Sequence, residues 1–107
     1  MDKTIKYGLK PEIITAMQST FKKHPHVEQA ILYGSRAKGN YKVGSDIDLT
    51  LKGNQLEYVE LLKIENELDD LLLPYKIDLS LFSKMTEPEL VEHIERVGII
   101  FYSRELR

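Results

Sequence analysis

The segment LYGSRAKGNYKVGSDIDLTLK, residues 32–52, decides the fold and the candidate site of this chain. An apolar run ends in the Gly34-Ser35 pair, and after ten intervening residues the sequence reads Asp46-Ile47-Asp48. Within residues 45–51, polar and apolar residues alternate from Asp46 to Leu51, which is typical of a strand with one packed face. Because side chains alternate across a strand, Asp46 and Asp48 are predicted to lie on the same face.

Residues 76–82, KIDLSLF, show the same alternation and place Asp78 on the polar face of another predicted strand. Aspartate is depleted in strands, so an ordinary polar face explains one such residue better than three. If the two strands are neighbours, the carboxylates converge, and like charges about 4 Å apart repel by roughly 4 kcal/mol at an effective dielectric constant of about 20. Ligation by oxygen alone favours Mg²⁺ or Mn²⁺, so the sequence predicts a metal site at Asp46, Asp48 and Asp78.

The Gly34-Ser35 pair is predicted to bind phosphate beside that metal site. A glycine-containing turn between a strand and a short helix can present free backbone N–H groups to phosphate oxygens. The Ser35 hydroxyl would add a donor, and Arg36 and Lys38 would add positive charge. A Gly-Ser pair alone is a weak signal, because most such pairs are only turns. Combined with the three aspartates, it predicts a site for a phosphate-bearing substrate held partly through the metal.

Apolar periodicity and the positions of proline and glycine predict the remaining elements. Helices are expected over residues 11–23, 55–72 and 88–97, with a short helical turn from Ser35 to Gly39-Asn40. Strands are expected over residues 27–33, 45–51 and 76–82, with a short final strand at 99–102. This order predicts one α/β (α+β) domain, residues 1–107, in which a mixed sheet carries helices on its apolar face. The opposite face, with the aspartates, is expected to stay open.

Composition narrows the class of protein. The chain has 107 residues and a net charge of −2, which argues against binding nucleic acid through bulk positive charge. It contains no cysteine, which excludes disulfides and thiolate chemistry. The N-terminal segment has no apolar signal region, and no apolar run is long enough to span a bilayer. We therefore expect a cytoplasmic protein that binds neither membrane nor nucleic acid directly.

The three histidines are interpreted as solvent-facing residues. His24 and His26 flank a proline after the first predicted helix, and a solvated loop is favoured over a metal site because no third ligand is nearby in the sequence. His93 lies between Glu92 and Glu95 in the last predicted helix, where we expect a solvated face.

The motifs resemble the signature of the minimal nucleotidyltransferases of the DNA polymerase β superfamily. The segment GSRAKGNYKVGSDIDL is close to that family's usual form, and Asp78 matches its third carboxylate. The resemblance covers nearly the whole chain and implies a transfer of a nucleoside monophosphate from a nucleoside triphosphate with two Mg²⁺ ions, or Mn²⁺. It implies that Asp46 and Asp48 bind both metals, and that Asp78 completes the second metal site and helps activate the attacking hydroxyl. Gly34, Ser35 and Arg36 would bind the nucleotide.

Stand-alone versions of this family resemble the antitoxin half of toxin–antitoxin pairs whose toxin is a HEPN-domain ribonuclease. That resemblance implies transfer of AMP from ATP to a tyrosine of the toxin, within a complex of the two chains; a homo-oligomer is the other assembly considered. Two alternatives stay open: a non-catalytic antitoxin that neutralises the toxin by binding, and a small-molecule nucleotidyltransferase of the aminoglycoside type. Tyr41, Lys42 and residues 102–107 are the candidate docking residues for a partner.

Overall fold

The computed structural model describes residues 5–104, which form four helices and four strands in the predicted order. The helices are α1 (Pro11–Lys22), α2 (Ser35–Lys38), α3 (Tyr58–Asp69) and α4 (Pro88–Val97), and the strands are β1 (Gln29–Tyr33), β2 (Ile47–Lys52), β3 (Ile77–Leu81) and β4 (Ile99–Ser103). A 3₁₀ turn, Phe82–Lys84, follows β3. None of the helices in this part of the chain is long and apolar enough to cross a membrane.

The helix α3 is shorter than the sequence predicts. It begins after Glu57, whose backbone is extended, rather than at residue 55. It ends at Asp69, because Leu72 shortly after it adopts a positive φ of 55° that no helix continues through. The other helices and strands lie within two residues of the predicted bounds.

The four strands form one mixed sheet in the order β3-β2-β1-β4. β1 pairs antiparallel with β2 and β4, whereas β2 and β3 run parallel. A parallel pair needs a long crossover connection, and α3 supplies it. Asp48 lies opposite Asp78 and Thr50 lies opposite Ser80, so the polar residues of both strands share one face. The predicted α/β fold with a mixed sheet is confirmed.

The helices α1 and α3 pack on the apolar face of the sheet and enclose the main core. Pro11 begins α1, where its missing N–H group removes no helical hydrogen bond. Both helices and all four strands contribute core side chains, among them Met17, Phe21, Leu32, Leu49, Leu51, Ile64, Leu68, Leu79 and Phe101. This core fixes the orientation of β2 and β3, and therefore the direction in which their aspartates point.

The helix α4 departs from the expectation that helices cover only the apolar face. Ile31 and Thr50 are partners across β1 and β2 on the aspartate side of the sheet, yet both are buried. α4 covers Ile31, because Ile94 is itself buried and a Cβ atom built on Gly98 would lie 2.7 Å from Ile31 Cγ2. The consecutive apolar residues of β1 put Ile31 on the polar face, which gives α4 a surface to pack on. The end of this face that carries the aspartates stays accessible.

Candidate active site

The register of the parallel strand pair brings Asp48 and Asp78 side by side. They are direct partners across β2 and β3, and neighbouring strands in a sheet lie about 4.8 Å apart. Asp46 comes just before β2 and is exposed, as is Asp78, whereas Asp48 is half-buried. The charges of both neighbours act on the Asp48 carboxyl. The structure thus brings the three predicted carboxylates close together, and we call Asp46, Asp48 and Asp78 the aspartate cluster.

The carboxylates of this aspartate cluster repel one another. Burial raises the pKa of Asp48 above its ordinary value of 3.8, and the charges of Asp78 and Asp46 raise it further. Within residues 5–104, no ion pair with lysine or arginine compensates the three aspartates. Nor is any group of three or more acidic or imidazole side chains in that range arranged as a ready-made metal centre. The cluster carries negative charge without the closed geometry of a structural metal site.

Gly34 lies against Asp48, and this contact requires glycine. Its φ of 76° lies in the left-handed region, and a Cβ atom there would collide with the Asp48 carboxylate. The Gly34 carbonyl accepts hydrogen bonds from the N–H groups of Ala37 and Lys38, and these bonds form the first turn of α2. Ser35 is the first residue of α2, where backbone amides have no partner within the helix. The Gly34-Ser35 turn is therefore held directly beside the aspartate cluster.

Arg36 is occupied in holding two loops together. It is only 3% exposed. Its guanidinium donates to the Ser45 carbonyl from Nε at 3.1 Å and from Nη2 at 2.7 Å, and to the Tyr7 carbonyl from Nη1 at 2.7 Å. The rings of Tyr41 and Tyr75 lie 5.4 and 4.9 Å from the guanidinium. Arg36 thus anchors the loop that leads into β2, and its predicted role in nucleotide binding stays a prediction.

His93 is a residue of the site that sequence reasoning missed. Its Nε2 atom accepts a hydrogen bond from the Gly34 amide at 3.3 Å, and its ring meets the Tyr33 ring edge-on with centroids 6.3 Å apart. The expectation of a solvated position is wrong. Leu90, His93, Ile94 and Val97 follow the i, i+3, i+4, i+7 spacing of a packed helix stripe, and this spacing was the signal that could have found His93.

Tyr33 stands beside Asp48 at the end of β1. The two residues are partners in the strand register. Burial raises the pKa of the Tyr33 hydroxyl above its ordinary value of 10.0, and the charges of Asp48 and Asp78 raise it further. The phenol therefore stays protonated at neutral pH beside the carboxylates.

The histidines after α1 belong to an ion-pair network on the other side of the sheet. His24 contacts Glu60 through Nδ1 at 3.2 Å and Glu67 through Nε2 at 3.0 Å, and His26 contacts Glu60 through Nδ1 at 3.0 Å. The expectation of a solvated loop is wrong for His24, which is buried. α3 brings both glutamates to this loop, a tertiary contact that sequence spacing does not reveal.

The two predicted docking segments differ in how exposed they are. Tyr41 and Lys42 are exposed, and the neighbouring Val43 projects fully into solvent. Tyr102 packs its ring 5.8 Å from that of Phe21. Arg104 donates to backbone carbonyls of the loop between α1 and β1. Residues 105–107 lie outside the part of the chain that the structure describes. Docking at either segment stays a prediction.

The family model described as Polymerase beta, Nucleotidyltransferase matches residues 15–107. The chain therefore belongs to this nucleotidyltransferase family. No curated protein matches it at a significant level.

Solved structures share this fold at low sequence identity. A chain of a toxin–antitoxin structure with AMP-PNP has a TM-score of 0.69 and 17% identity, over 86% of this chain and 74% of that one. A chain of the MntA–HepT toxin–antitoxin structure has a TM-score of 0.63 and 15% identity, over 86% and 71%. A chain from the complex of tri-AMPylated Shewanella oneidensis HEPN toxin with MNT antitoxin has a TM-score of 0.53 and 17% identity, over 81% and 72%. These likenesses establish the fold.

Proposed function

We propose that this chain is a Mg²⁺-dependent nucleotidyltransferase that transfers AMP from ATP to a tyrosine of a HEPN-type toxin and acts as the antitoxin of that toxin. One observation carries the proposal: the strand register sets Asp48 beside Asp78, with Gly34 packed against Asp48. Membership of the nucleotidyltransferase family supports the reaction class. The solved relatives, which include toxin–antitoxin structures and a tri-AMPylated toxin, support the choice of acceptor.

The chemistry of the donor set fits Mg²⁺, with Mn²⁺ as a substitute. Asp46, Asp48 and Asp78 offer carboxylate oxygens alone. The pKa of Asp48 is raised, first by burial and then by the charges of Asp78 and Asp46, as expected of carboxylates that form no ion pair with lysine or arginine within residues 5–104. Asp46 and Asp48 would hold two ions and Asp78 the second of them, with water and phosphate oxygens completing each shell. Bound there, the ions would stabilise charge on the attacking and leaving oxygens.

The side chains and amides of the site would position the nucleotide and accept a proton. The amide and hydroxyl of Ser35, with the Gly34 amide, would donate hydrogen bonds to the triphosphate. The tyrosine oxygen of the acceptor attacks the α-phosphorus, so that a new P–O bond forms. The bond from the α-phosphorus to the bridging oxygen breaks, and pyrophosphate leaves with that electron pair. The exposed Asp78 carboxylate would take the hydroxyl proton.

The position of the site suits an acceptor that arrives on another protein. Asp78 lies on β3, which is an edge strand of the sheet, and its side chain is exposed. The exposed loop with Tyr41, Lys42 and Val43 leads into Asp46. A partner that docks on this loop would therefore place its own side chains close to the aspartate cluster.

Intact mass spectrometry tests the proposal. The purified chain is incubated with ATP, Mg²⁺ and a candidate HEPN-type toxin, the product of an adjacent gene, and the mass of the toxin is followed. We expect the toxin to gain mass in steps of one AMP. The gain should disappear with the double variant Asp46→Asn/Asp48→Asn and persist with Asp70→Asn, which changes an exposed carboxylate after α3.

Two other results would contradict the proposal and identify its rivals. A tight complex with the toxin that gains no mass and survives the double variant would make this chain a non-catalytic antitoxin. Modification of an aminoglycoside, with no modification of the toxin, would make it a small-molecule nucleotidyltransferase.

A further inference from the structure

His93 accepts the hydrogen bond of a backbone N–H group, that of Gly34, which the nucleotide would also use. The Gly34 N–H group points at His93 Nε2, with 3.3 Å between the nitrogen atoms. This amide belongs to the turn that packs against Asp48 beside the aspartate cluster. An amide carries a single hydrogen, so a phosphate oxygen and the imidazole cannot both receive a well-directed bond from it. A ligand that takes this amide must therefore displace the ring.

The position of His93 is built into the packing of α4. The next residue, Ile94, is 3% exposed, and Gly98 at the end of the helix lies directly against Ile31. The His93 ring also meets Tyr33 edge-on, at an interplanar angle of 80°. These contacts hold the imidazole over the end of β1, where the Gly34 turn begins.

We propose that His93 is a positioning residue that holds the Gly34 amide in the nucleotide-free protein and is displaced from it by a phosphate oxygen of the bound nucleotide. This inference rests on the proposed function, because it assumes that the turn receives phosphate. In the nucleotide-free protein, His93 Nε2 accepts this hydrogen bond and therefore carries no proton. The neutral ring then bears its proton on Nδ1.

Displacement has a measurable effect on nucleotide affinity. Only molecules whose Gly34 amide is free are competent to bind phosphate there, so the apparent dissociation constant is raised by the inverse of their fraction. From the typical net free energy of a hydrogen bond between neutral groups, the Gly34 amide is expected to be free in roughly one molecule in five. Removing the acceptor should therefore tighten nucleotide binding about fivefold. If His93 instead bound phosphate itself, its removal would weaken binding.

Two substitutions separate these roles. His93→Phe keeps an aromatic ring to pack against Tyr33 but has no acceptor for the Gly34 amide. His93→Gln keeps an acceptor oxygen at a similar reach but loses the ring. Isothermal titration with Mg²⁺ and AMP-PNP should give about fivefold tighter binding for His93→Phe and a value near that of the wild type for His93→Gln. Binding to His93→Phe that is unchanged or weaker would overturn the inference.

A measurement on the wild-type protein keeps the test independent of how the variants fold. The ¹⁵N resonances of the His93 ring report its tautomer and the hydrogen bond to Nε2. We expect the shift of a hydrogen-bonded Nε2 in the free protein and its loss at saturating Mg²⁺ and AMP-PNP. A ring spectrum that stays the same at saturation would overturn the inference and leave the proposed function standing. If the wild type binds no nucleotide at all, the proposed function fails, and the inference fails with it.

Discussion

At the scale of single residues, Gly34 allows the backbone to approach the Asp48 carboxylate because it has no side chain. Its backbone runs so close to Asp48 that a Cβ atom would collide with the carboxylate, and its φ of 76° is one that other residues rarely adopt. The turn can therefore reach the aspartate cluster only if this position is glycine.

Gly34→Ala is expected to lower stability and to abolish nucleotide transfer. Gly34 has φ 76° and ψ −155°, a conformation that is essentially limited to glycine and costs another residue roughly 1–3 kcal/mol, and the collision with Asp48 adds to this cost. Gly39→Ala is the control for a positive φ without a collision, because Gly39 has φ 89° and ψ 3° and nothing lies within 4 Å of the added Cβ atom. Thermal unfolding should show a larger fall in Tm for Gly34→Ala, and only this variant should lose transfer. Equal effects of the two substitutions would rule out the contact with Asp48 as the reason for the glycine.

Asp48→Asn is expected to raise Tm without metal while it abolishes transfer. Burial, and then the charges of Asp78 and Asp46, raise the pKa of Asp48, so its ionisation is less favourable in the folded chain than in the unfolded chain. The wild type should therefore lose stability relative to the variant as the pH rises above the ordinary value of 3.8, and the two should converge below it.

Thermal unfolding across this pH range measures the effect, with Glu95→Gln as the control for the loss of one negative charge on an exposed residue. Addition of Mg²⁺ should then stabilise the wild type and not Asp48→Asn, because only a ligand that binds the folded state raises Tm. An Asp48→Asn variant that melts at or below the wild-type temperature at neutral pH would refute the picture of repelling carboxylates.

At the scale of elements, the loop between α1 and β1 depends on α3 for its charge balance. Burial alone would raise the pKa of Glu60, but hydrogen bonds and charges from His26 and His24 outweigh it and hold that pKa below its ordinary value of 4.5. Ionised Glu60 therefore stabilises the fold above that value, and this stabilisation is lost as the pH falls through the lowered pKa.

Glu60→Gln is expected to lower Tm by a few degrees at pH values above the ordinary pKa of Glu60, and by less in acid. Glu92→Gln is the control, because Glu92 forms an exposed ion pair with Arg96 at 3.2 Å, and such pairs contribute little. Unfolding curves of the three proteins at several pH values provide the measurement. A Glu60→Gln penalty that grows as the pH falls would contradict the assigned charge state.

The direction of side chains within each strand could be predicted from the sequence, whereas the contacts between elements could not. Alternation over residues 46–51 and 76–81 was enough to put Asp48 and Asp78 on the polar faces of their strands, because side-chain direction in a strand depends only on position. Alternation does not say which strands are neighbours, what α4 packs on, or what Arg36 contacts. These depend on contacts between residues far apart in the chain, as the approach of His93 to Gly34 does.

At the scale of the whole molecule, the two faces of the sheet differ in what packs on them. One face packs on α1 and α3 and forms the core, while the other is shared between α4 and the aspartate cluster. α4 thus covers β1 beside the site and carries His93 to the Gly34 turn. A substitution in α4 can therefore act on the site without touching an aspartate.

We propose that the aspartate cluster and the Gly34-Ser35 turn together form one nucleotide–metal site. The most direct test is a crystal structure with Mn²⁺ and AMP-PNP, in which the anomalous signal locates the metal. We expect two anomalous peaks roughly 3.5–4 Å apart among Asp46, Asp48 and Asp78, with the triphosphate on the Gly34-Ser35 turn. A nucleotide bound elsewhere, or at this turn with no metal at the aspartates, would contradict the claim.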